Sequence, residues 1–150
     1  MSLEIIRTDG QNKDFIKLIG LLDEELRERY RDIQSLYDRH NKVDRINHVV
    51  LIYKDKAPVA CGAFKEYDGS SVELKRIFVV RANRDQGLGK LVVRELEKYA
   101  KDSGYKYAIL ETGVKQPEAI GLYKGRGYAM IQNYGPYAGN TNSVCMKKEL

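Results

Sequence analysis

The sequence SVELKRIFVVRANRDQGLGKLVVRELEKYAKDSG, residues 71–104, decides the fold of this protein. Its first part, Val72 to Val80, is mostly apolar and β-branched, which predicts a strand. A polar break follows at Arg81 to Gln86. Beyond the break, apolar residues recur with the spacing of one helical face, at Leu88, Leu91, Val92 and Leu96. The stretch therefore predicts a strand, a turn and a helix that ends at Gly104.

Two glycines, Gly87 and Gly89, open this predicted helix. Glycine lets the backbone approach a ligand closely, and the first N–H groups of a helix have no partner within it. Such a turn can bind an anion, and we expect it to hold a pyrophosphate. Two other phosphate loops are disfavoured. A Walker A loop needs Ser or Thr where this chain has Leu91, and Val92 takes the place of the third glycine of a dinucleotide fingerprint.

The composition is that of an ordinary globular domain. The chain has 150 residues, of which 43% are apolar and 31% are charged, and its formal net charge is +5. This length favours a single domain, residues 1–150, with a proper hydrophobic core. The charges form no block of five with the same sign, so a nucleic-acid-binding tail is not expected.

The cysteines and the N-terminus indicate the compartment. Cys61 and Cys145 lie far apart in strand-like runs without CxxC spacing. Two buried, reduced thiols are therefore favoured over a disulfide or a zinc site. Residues Met1 to Thr8 lack the apolar run of a signal peptide, and no segment reaches transmembrane length. We expect a cytoplasmic protein without a metal and without membrane contact.

The remaining elements extend the central stretch into a sheet. They are a strand at Leu3–Thr8, a helix at Asn12–Arg29, a weaker helical or irregular piece at Ile33–Lys42, strands at Asn47–Tyr53, Pro58–Glu66 and Tyr105–Glu111, a helix from Pro117 to Gly125 or Gly127, and strands at Tyr128–Gln132 and Ser143–Lys148. Because one helix joins the central strand to the Tyr105–Glu111 strand, this pair is expected to be parallel. The order predicts an α/β (α+β) fold, with one mixed, mostly antiparallel, twisted sheet of about seven strands and helices on both faces.

Two motifs in this order resemble those of the GCN5-related N-acetyltransferase (GNAT) superfamily. Arg84-x-x-Gly87-x-Gly89 is similar to the Arg/Gln-x-x-Gly-x-Gly/Ala acetyl-CoA loop of that superfamily. A second block agrees with it, at Leu110-Glu111-Thr112-Gly113, Gln116 to Ile120, Leu122-Tyr123 and Gly127-Tyr128. The element order matches over essentially the whole chain. One departure is Asp85, where the family often has glycine, and we expect its carboxylate to point to solvent.

The resemblance implies acetyl-CoA as co-substrate. Backbone N–H groups would cradle its pyrophosphate at Gln86, Gly87, Leu88, Gly89 and Lys90, with Arg84 nearby for charge. Backbone groups of Ile77, Phe78 and Val79 would pair with the pantetheine amides, as an added strand does. Gln116 stands where the family has a helix-opening Asn or Gln that contacts the cofactor. On the residues alone, Arg84 and Lys90 remain plausible surface charges, and Gln116 a plausible helix cap.

The resemblance also implies two catalytic roles. Tyr123 is similar to the tyrosine that protonates the departing thiolate, and a phenol with an ordinary pKa of about 10 is a suitable donor. Its alternative role is that of a core aromatic. Glu73 is the candidate general base, because a carboxylate in an apolar strand is costly unless it is paired or functional. The alternative is a salt bridge to Lys75 or Arg76, and Glu111 is a second candidate base.

No motif in the sequence identifies the acceptor. We expect a primary amine of a small molecule or amino acid, met by Asp23 to Asn41 and by the loop Tyr134 to Tyr137. A protein lysine or N-terminus is the alternative acceptor, and a module that senses acetyl-CoA without turnover is the alternative function. A monomer or homodimer is expected, and a nucleic-acid partner is not, since no aromatic and basic stripe is present.

Overall fold

A computed structural model describes residues 2–29 and 46–150. Within this part of the chain, seven strands form one sheet in the order β1-β2-β3-β4-β5-β7-β6. The strands are β1 (Leu3–Thr8), β2 (His48–Lys54), β3 (Ala57–Asp68), β4 (Ser71–Val79), β5 (Tyr107–Gly113), β6 (Ala129–Ile131) and β7 (Ser143–Glu149). The helices are α1 (Lys13–Arg29), α2 (Leu88–Asp102) and α3 (Pro117–Gly125).

The sheet has helices on both faces, because its strands are apolar on both sides. In β2, Val50 and Ile52 belong to the core that contains α2, while Val49 and Leu51 belong to the core that contains α1. All four side chains are fully buried. Two separate apolar cores therefore enclose one central sheet, as expected when apolar residues fill consecutive positions of a strand.

A β-bulge interrupts β4 beside β3. Cys61 pairs with Phe78 and Ala63 pairs with Lys75, so Gly62 alone opposes the two residues between them. One of these, Arg76, has a φ of 59°, which is rare for a residue with a side chain. An extra residue reverses the alternation of side chains along a strand. Phe78 consequently packs in the α1 core, whereas Ile77 packs against the α2 core.

The parallel pair β4–β5 is short. The two strands pair only over Ser71–Leu74 and Tyr107–Leu110. Beyond Leu74 and Leu110, no hydrogen-bonded ladder joins the C-terminal halves of these strands, and β7 continues to pair with β5 as far as Gly113. The sheet is therefore open between β4 and β5 at the end that faces residues Arg84–Lys90, which we call the glycine turn.

The predicted fold is confirmed, with two refinements. The last strand of the chain, β7, lies between β5 and β6, so β6 forms the edge of the sheet. The β2–β3 turn contains no glycine, although Asp55 and Lys56 have φ values of 50° and 70°. The piece predicted at Ile33–Lys42 lies outside the described residues.

Cys61 and Cys145 are buried free thiols, as expected. None of the described helices is long and apolar enough to cross a membrane.

Candidate active site

The glycine turn leads into the N-terminus of α2 with its N–H groups open. Gly87 is the N-cap and has a φ of 79°, a conformation that glycine adopts without strain. The N–H of Leu91 donates to the carbonyl of Gly87, so Leu88, Gly89 and Lys90 precede the first helical hydrogen bond. The N-cap makes no side-chain capping hydrogen bond. These features suit an anion at the end of the helix.

A cleft of about 110 Å³ opens from this end of the sheet, between the C-terminal halves of β4 and β5. The side chains that line it include Leu22, Leu26, Glu73, Lys75, Arg76, Ile77, Glu111, Thr112, Gln116, Ala119, Tyr123 and Tyr137. The cleft brings together five residues that the sequence singled out for the cofactor or for catalysis: Glu73 and Ile77 on β4, Glu111 on β5, and Gln116 and Tyr123 at α3. Apolar side chains of α1 line the cleft together with carboxylates and cations of β4 and β5.

Tyr123 projects from α3 and is only 7% exposed. Its ring lies edge-on to that of Tyr128, with the ring centroids 5.9 Å apart. Burial, together with the negative charge of Glu111, raises the pKa of the Tyr123 phenol above its ordinary value. Tyr123 therefore keeps its proton at neutral pH, and it is both a core aromatic and a residue of the cleft.

Glu73 is buried on β4 and its carboxylate is already engaged. Tyr134 donates a hydrogen bond of 2.7 Å from its hydroxyl to Oε2 of Glu73. The Nζ atoms of Lys75 and Lys65 lie 3.9 Å and 4.0 Å from Oε1. Of the two ion pairs considered from the sequence, the pair with Lys75 is present. Arg76 instead donates to Asp23 of α1 at 2.8 Å.

Glu111 lines the cleft from β5, on the same side as Glu73. The Ser143 hydroxyl donates a hydrogen bond of 2.7 Å to its Oε2. Burial raises the pKa of the Glu111 carboxyl to about 7, and the negative charge of Glu73 also raises it, whereas Ser143 and Lys75 lower it. A carboxyl of this kind can take up and release a proton near neutral pH.

The Arg84 side chain, at the start of the glycine turn, contacts α1 and the end of β4. Its two terminal nitrogens donate to the two carboxylate oxygens of Glu25, at 2.9 Å and 2.7 Å. Its Nε donates to the carbonyl of Val79 at 2.9 Å. Its guanidinium also lies over the ring of Phe78, 5.5 Å from the centroid. The structure thus gives Arg84 a role in holding the turn against α1, and a direct role toward a cofactor stays a prediction.

The other residues predicted around the cofactor have clear positions. Gln86 is exposed and its side-chain oxygen accepts a hydrogen bond of 2.8 Å from Lys54. Lys90 is exposed at the first turn of α2. Gln116 is the N-cap of α3 without a side-chain capping hydrogen bond, so its side chain is not explained by capping. Its carbonyl accepts the N–H groups of Ala119 and Ile120.

Aromatic side chains border the cleft on the predicted acceptor side. The ring of Tyr134 contacts those of Tyr67 and Tyr137, with centroids 5.2 Å and 5.7 Å apart. Leu22, Leu26 and Asp23 bring α1 to the same region. Of the expected acceptor segment Asp23 to Asn41, residues 30–41 lie outside the described part.

Two residues of this site were not foreseen. Ser143 could have been noticed as a polar residue next to the apolar run Val144–Met146, but its partner Glu111 depends on the β5–β7 register. Glu25 lies among many charged residues of α1, and nothing in its spacing distinguishes it from them. Both contacts join elements that are far apart in the chain.

Comparison with known proteins assigns a family to this geometry. The model of the acetyltransferase (GNAT) family matches residues 14–128. The chain is 30% identical to the IAA acetyltransferase of Azospirillum brasilense, over 99% of both proteins. It is 27% identical to the uncharacterised N-acetyltransferase YjcF of Bacillus subtilis, over 81% of this chain and 84% of that protein.

Solved structures share the fold over the whole chain. A proposed acyl-CoA N-acyltransferase of Klebsiella pneumoniae is 26% identical, with a TM-score of 0.82, over 99% of this chain and 97% of that chain. The PaiA N-acetyltransferase of Thermoplasma acidophilum, solved in complex with coenzyme A, is 17% identical, with a TM-score of 0.75 over the full length of both chains.

Proposed function

Because this chain belongs to the acetyltransferase (GNAT) family, we propose that it is an acetyl-CoA-dependent enzyme that transfers the acetyl group directly to a primary amine of a small molecule. The observation that carries the proposal is the opening between β4 and β5. It lies at the end of β4 that leads to the glycine turn, beside a cleft lined by Tyr123, Glu73 and Glu111.

The residues at this opening fit acetyl-CoA. N–H groups at the start of α2 suit the pyrophosphate, and Gly87 and Gly89 leave its approach free of side chains. Among the described residues, the edge of β4 beyond Leu74 has no partner strand on the β5 side, so its backbone at 77–79 suits the amides of pantetheine. Arg84 already donates to the carbonyl of Val79. We therefore assign the amide-pairing role chiefly to Ile77 and Phe78.

The protein must do three things for acetyl transfer to an amine. The thioester must be held with its carbonyl polarised, the acceptor ammonium must lose a proton, and the leaving sulfur must gain one. We assign the last step to Tyr123, which keeps its proton at neutral pH and lines the cleft. Deprotonation falls to a cleft carboxylate, directly or through water, and Glu73 and Glu111 are the two candidates.

The lining of the cleft suits a small acceptor. The cleft is about 110 Å³ in volume, and Leu22, Leu26 and Tyr137 supply apolar surface beside its charged side chains. The relatives that are named N-acetyltransferases agree with nitrogen as the acceptor atom.

The proposal is tested in two steps. Thermal unfolding is first measured with acetyl-CoA and with CoA, and a rise in the midpoint is expected because the ligand binds only the folded chain. Thiol release is then measured with acetyl-CoA and a panel of small primary amines. IAA, which is not a primary amine, is assayed separately because one relative is named for it. Binding without thiol release from any acceptor would favour a sensor of acetyl-CoA over an enzyme. If the protein bound neither acetyl-CoA nor CoA, acetyl-CoA would be rejected as the acetyl donor.

A further inference from the structure

The face of the sheet that carries α1 also carries a row of polar side chains, on the strands β4, β5 and β7. On β4 and β5, Glu73 pairs in register with Ile109, and on β5 and β7, Glu111 pairs with Cys145. Side chains on one face of a strand recur every second residue. Ile109 and Glu111 therefore share this face with Glu73, and Ser143 joins them from β7.

The two carboxylates of this row differ in their surroundings. Glu73 accepts a hydrogen bond from Tyr134 at one oxygen and lies beside Lys75 at the other. Among the described residues, Glu111 accepts a hydrogen bond from Ser143, and it lines the cleft next to Tyr123. When two neighbouring carboxyls have such different environments, the difference indicates different roles.

We infer that Glu111 accepts the proton of the acceptor ammonium and that Ser143 is its positioning residue. Glu73 instead holds Tyr134 and Lys75 in place on the side of the cleft that is predicted to meet the acceptor. The inference rests on the proposed function, since it concerns the acceptor side of the same site. The Ser143 hydrogen bond holds Oε2 of Glu111, which leaves Oε1 to accept a proton.

The protons balance with these assignments. The acceptor loses two protons as its nitrogen forms a bond to the acetyl carbon and the carbon–sulfur bond breaks. Glu111 accepts one of them and releases it to solvent. Tyr123 donates its phenolic proton to the sulfur and regains a proton from the nitrogen of the new amide, directly or through water. No oxidant, metal or further reactant is required.

The titratable groups that face Glu111 give the direction in which activity changes with pH. They are Glu73 and Lys75 on β4, Cys145 on β7 and Tyr123 on α3. Burial raises the pKa values of the Cys145 thiol and the Tyr123 phenol, so both are neutral where Glu111 titrates. Activity should rise as the pH increases through about 7, because only the ionised Glu111 accepts a proton.

Variants of the neighbours should move this rise in opposite directions. Ser143→Ala removes a hydrogen bond that favours the carboxylate, so the rise should shift to higher pH. Ser143→Thr keeps the hydroxyl and should restore it. Glu73→Gln removes a negative charge and should shift the rise to lower pH. Ser103→Ala is the matched control, because Ser103 bonds only the exposed end of α2.

The decisive kinetic comparison uses two acceptors, tyramine and hydroxylamine. Tyramine is an ammonium ion at pH 7 and needs a base, whereas hydroxylamine is mostly neutral there. Glu111→Gln should lower kcat/KM for tyramine by roughly 10²-fold or more and reduce it far less for hydroxylamine. Equal losses for both acceptors, or a pH rise that survives Glu111→Gln unchanged, would overturn the assignment. A loss of the rise in Glu73→Gln would return the role to Glu73.

A measurement without any acceptor separates this inference from the proposed function. The side-chain carboxyl of Glu111 is followed by 13C NMR in the folded protein, with Glu111→Gln used to assign the signal. A midpoint near 7 that rises in Ser143→Ala supports the inference. A midpoint in the ordinary carboxyl range rejects it, whether or not the enzyme turns over. Wild-type protein that binds acetyl-CoA but releases no thiol in the amine panel would instead contradict the proposed function.

Discussion

Asp85 has a left-handed backbone, with a φ of 63°, at the entrance to the glycine turn. Its side chain is exposed, as the sequence led us to expect. A residue with a Cβ is strained in this conformation, and a carboxylate near a helix N-terminus that binds an anion repels the ligand. The conformation explains why glycine is the common residue here, and aspartate is among the residues that tolerate it best.

Asp85→Gly should therefore improve both stability and cofactor binding. We expect unfolding to cost about 1 kcal/mol more, from relief of backbone strain. The Kd for CoA, measured by calorimetry, should become about two- to fivefold tighter, because a nearby negative charge is removed. Asp55→Gly is the matched control, since Asp55 is an exposed aspartate with a φ of 50° in the β2–β3 turn. Its gain in stability should be smaller, because the Asp55 carboxylate also accepts a hydrogen bond of 3.2 Å from the Ser2 N–H. An equal gain in CoA affinity would contradict the charge effect.

Tyr123→Phe tests the acid at the centre of the cleft. The ring and its contact with Tyr128 are kept, so stability should change little. We expect kcat to fall by roughly 10²-fold, the usual contribution of a positioned proton donor, with the Kd for CoA nearly unchanged. Tyr105→Phe is the control, because the Tyr105 hydroxyl bonds Glu66 away from the cleft. Unchanged turnover in Tyr123→Phe would leave Tyr123 as a packing residue only.

At the residue scale, the sequence indicated which side chains matter but not their partners. A carboxylate inside the apolar run of β4 could be noticed at Glu73. Its hydrogen-bond donor, Tyr134, is 61 positions away in the chain. Ser143 is 32 positions from Glu111. Contacts of this kind depend on strand order, which local sequence does not contain.

At the scale of elements, the Arg84–Glu25 pair fastens the cofactor turn to α1. Both nitrogens of the guanidinium fork engage both carboxylate oxygens. The Arg84 side chain is 32% exposed and that of Glu25 is 16% exposed, so water screens the pair only in part. A bidentate pair in such surroundings is stronger than an ordinary surface pair.

A double-mutant cycle with Arg84→Met and Glu25→Gln should measure this link. We expect a coupling of about 1–2 kcal/mol in the free energy of unfolding, followed by urea denaturation. The cycle cancels the contacts of Arg84 with Val79 and Phe78. The control is the pair between Arg7 and Asp102, also 2.9 Å long but 42% and 62% exposed, for which the coupling should be within about 0.5 kcal/mol. Equal couplings would mean that burial adds nothing to the Arg84 pair.

The bulge in β4 is the element that the sequence did not reveal. The strand itself was predicted correctly, from Val72 to Val80, but no glycine or proline marks Arg76 as the irregular position. A bulge requires two residues against one across a pair of strands, so it exists only once β3 and β4 are aligned. It decides that Lys75 and Phe78 face α1 while Ile77 faces α2.

At the scale of the molecule, Gly62 allows α2 to lie close to the sheet. A Cβ on Gly62 would come within 2.6 Å of Val92 and 2.7 Å of Leu96, both fully buried side chains of α2. Neither side chain can move without disturbing a packed core. The approach of α2 sets the position of its N-terminus, which is the proposed pyrophosphate site.

Gly62→Ala should consequently destabilise the protein by about 1–3 kcal/mol, as overpacking does. Gly20→Ala is the matched control, because a Cβ on Gly20 meets no described residue within 4 Å. Since Gly20 lies inside α1, that change should stabilise the protein by about 0.5–1 kcal/mol. Thermal and urea unfolding of the two variants should move in opposite directions. A neutral Gly62→Ala would show that α2 can shift without cost.

The sequence by itself determined the elements, the glycine turn and the family resemblance. These features arise from contacts and backbone preferences within a few residues, such as the alternation of apolar side chains and the need for glycine at Gly87. Only the tertiary structure decided where β7 lies, that β4 bulges and separates from β5, and that Ser143 reaches Glu111 while Arg84 is held by Glu25. The physical reason is that burial and strand register bring together groups that the chain keeps far apart, and the ionisation of a buried carboxyl depends on those neighbours.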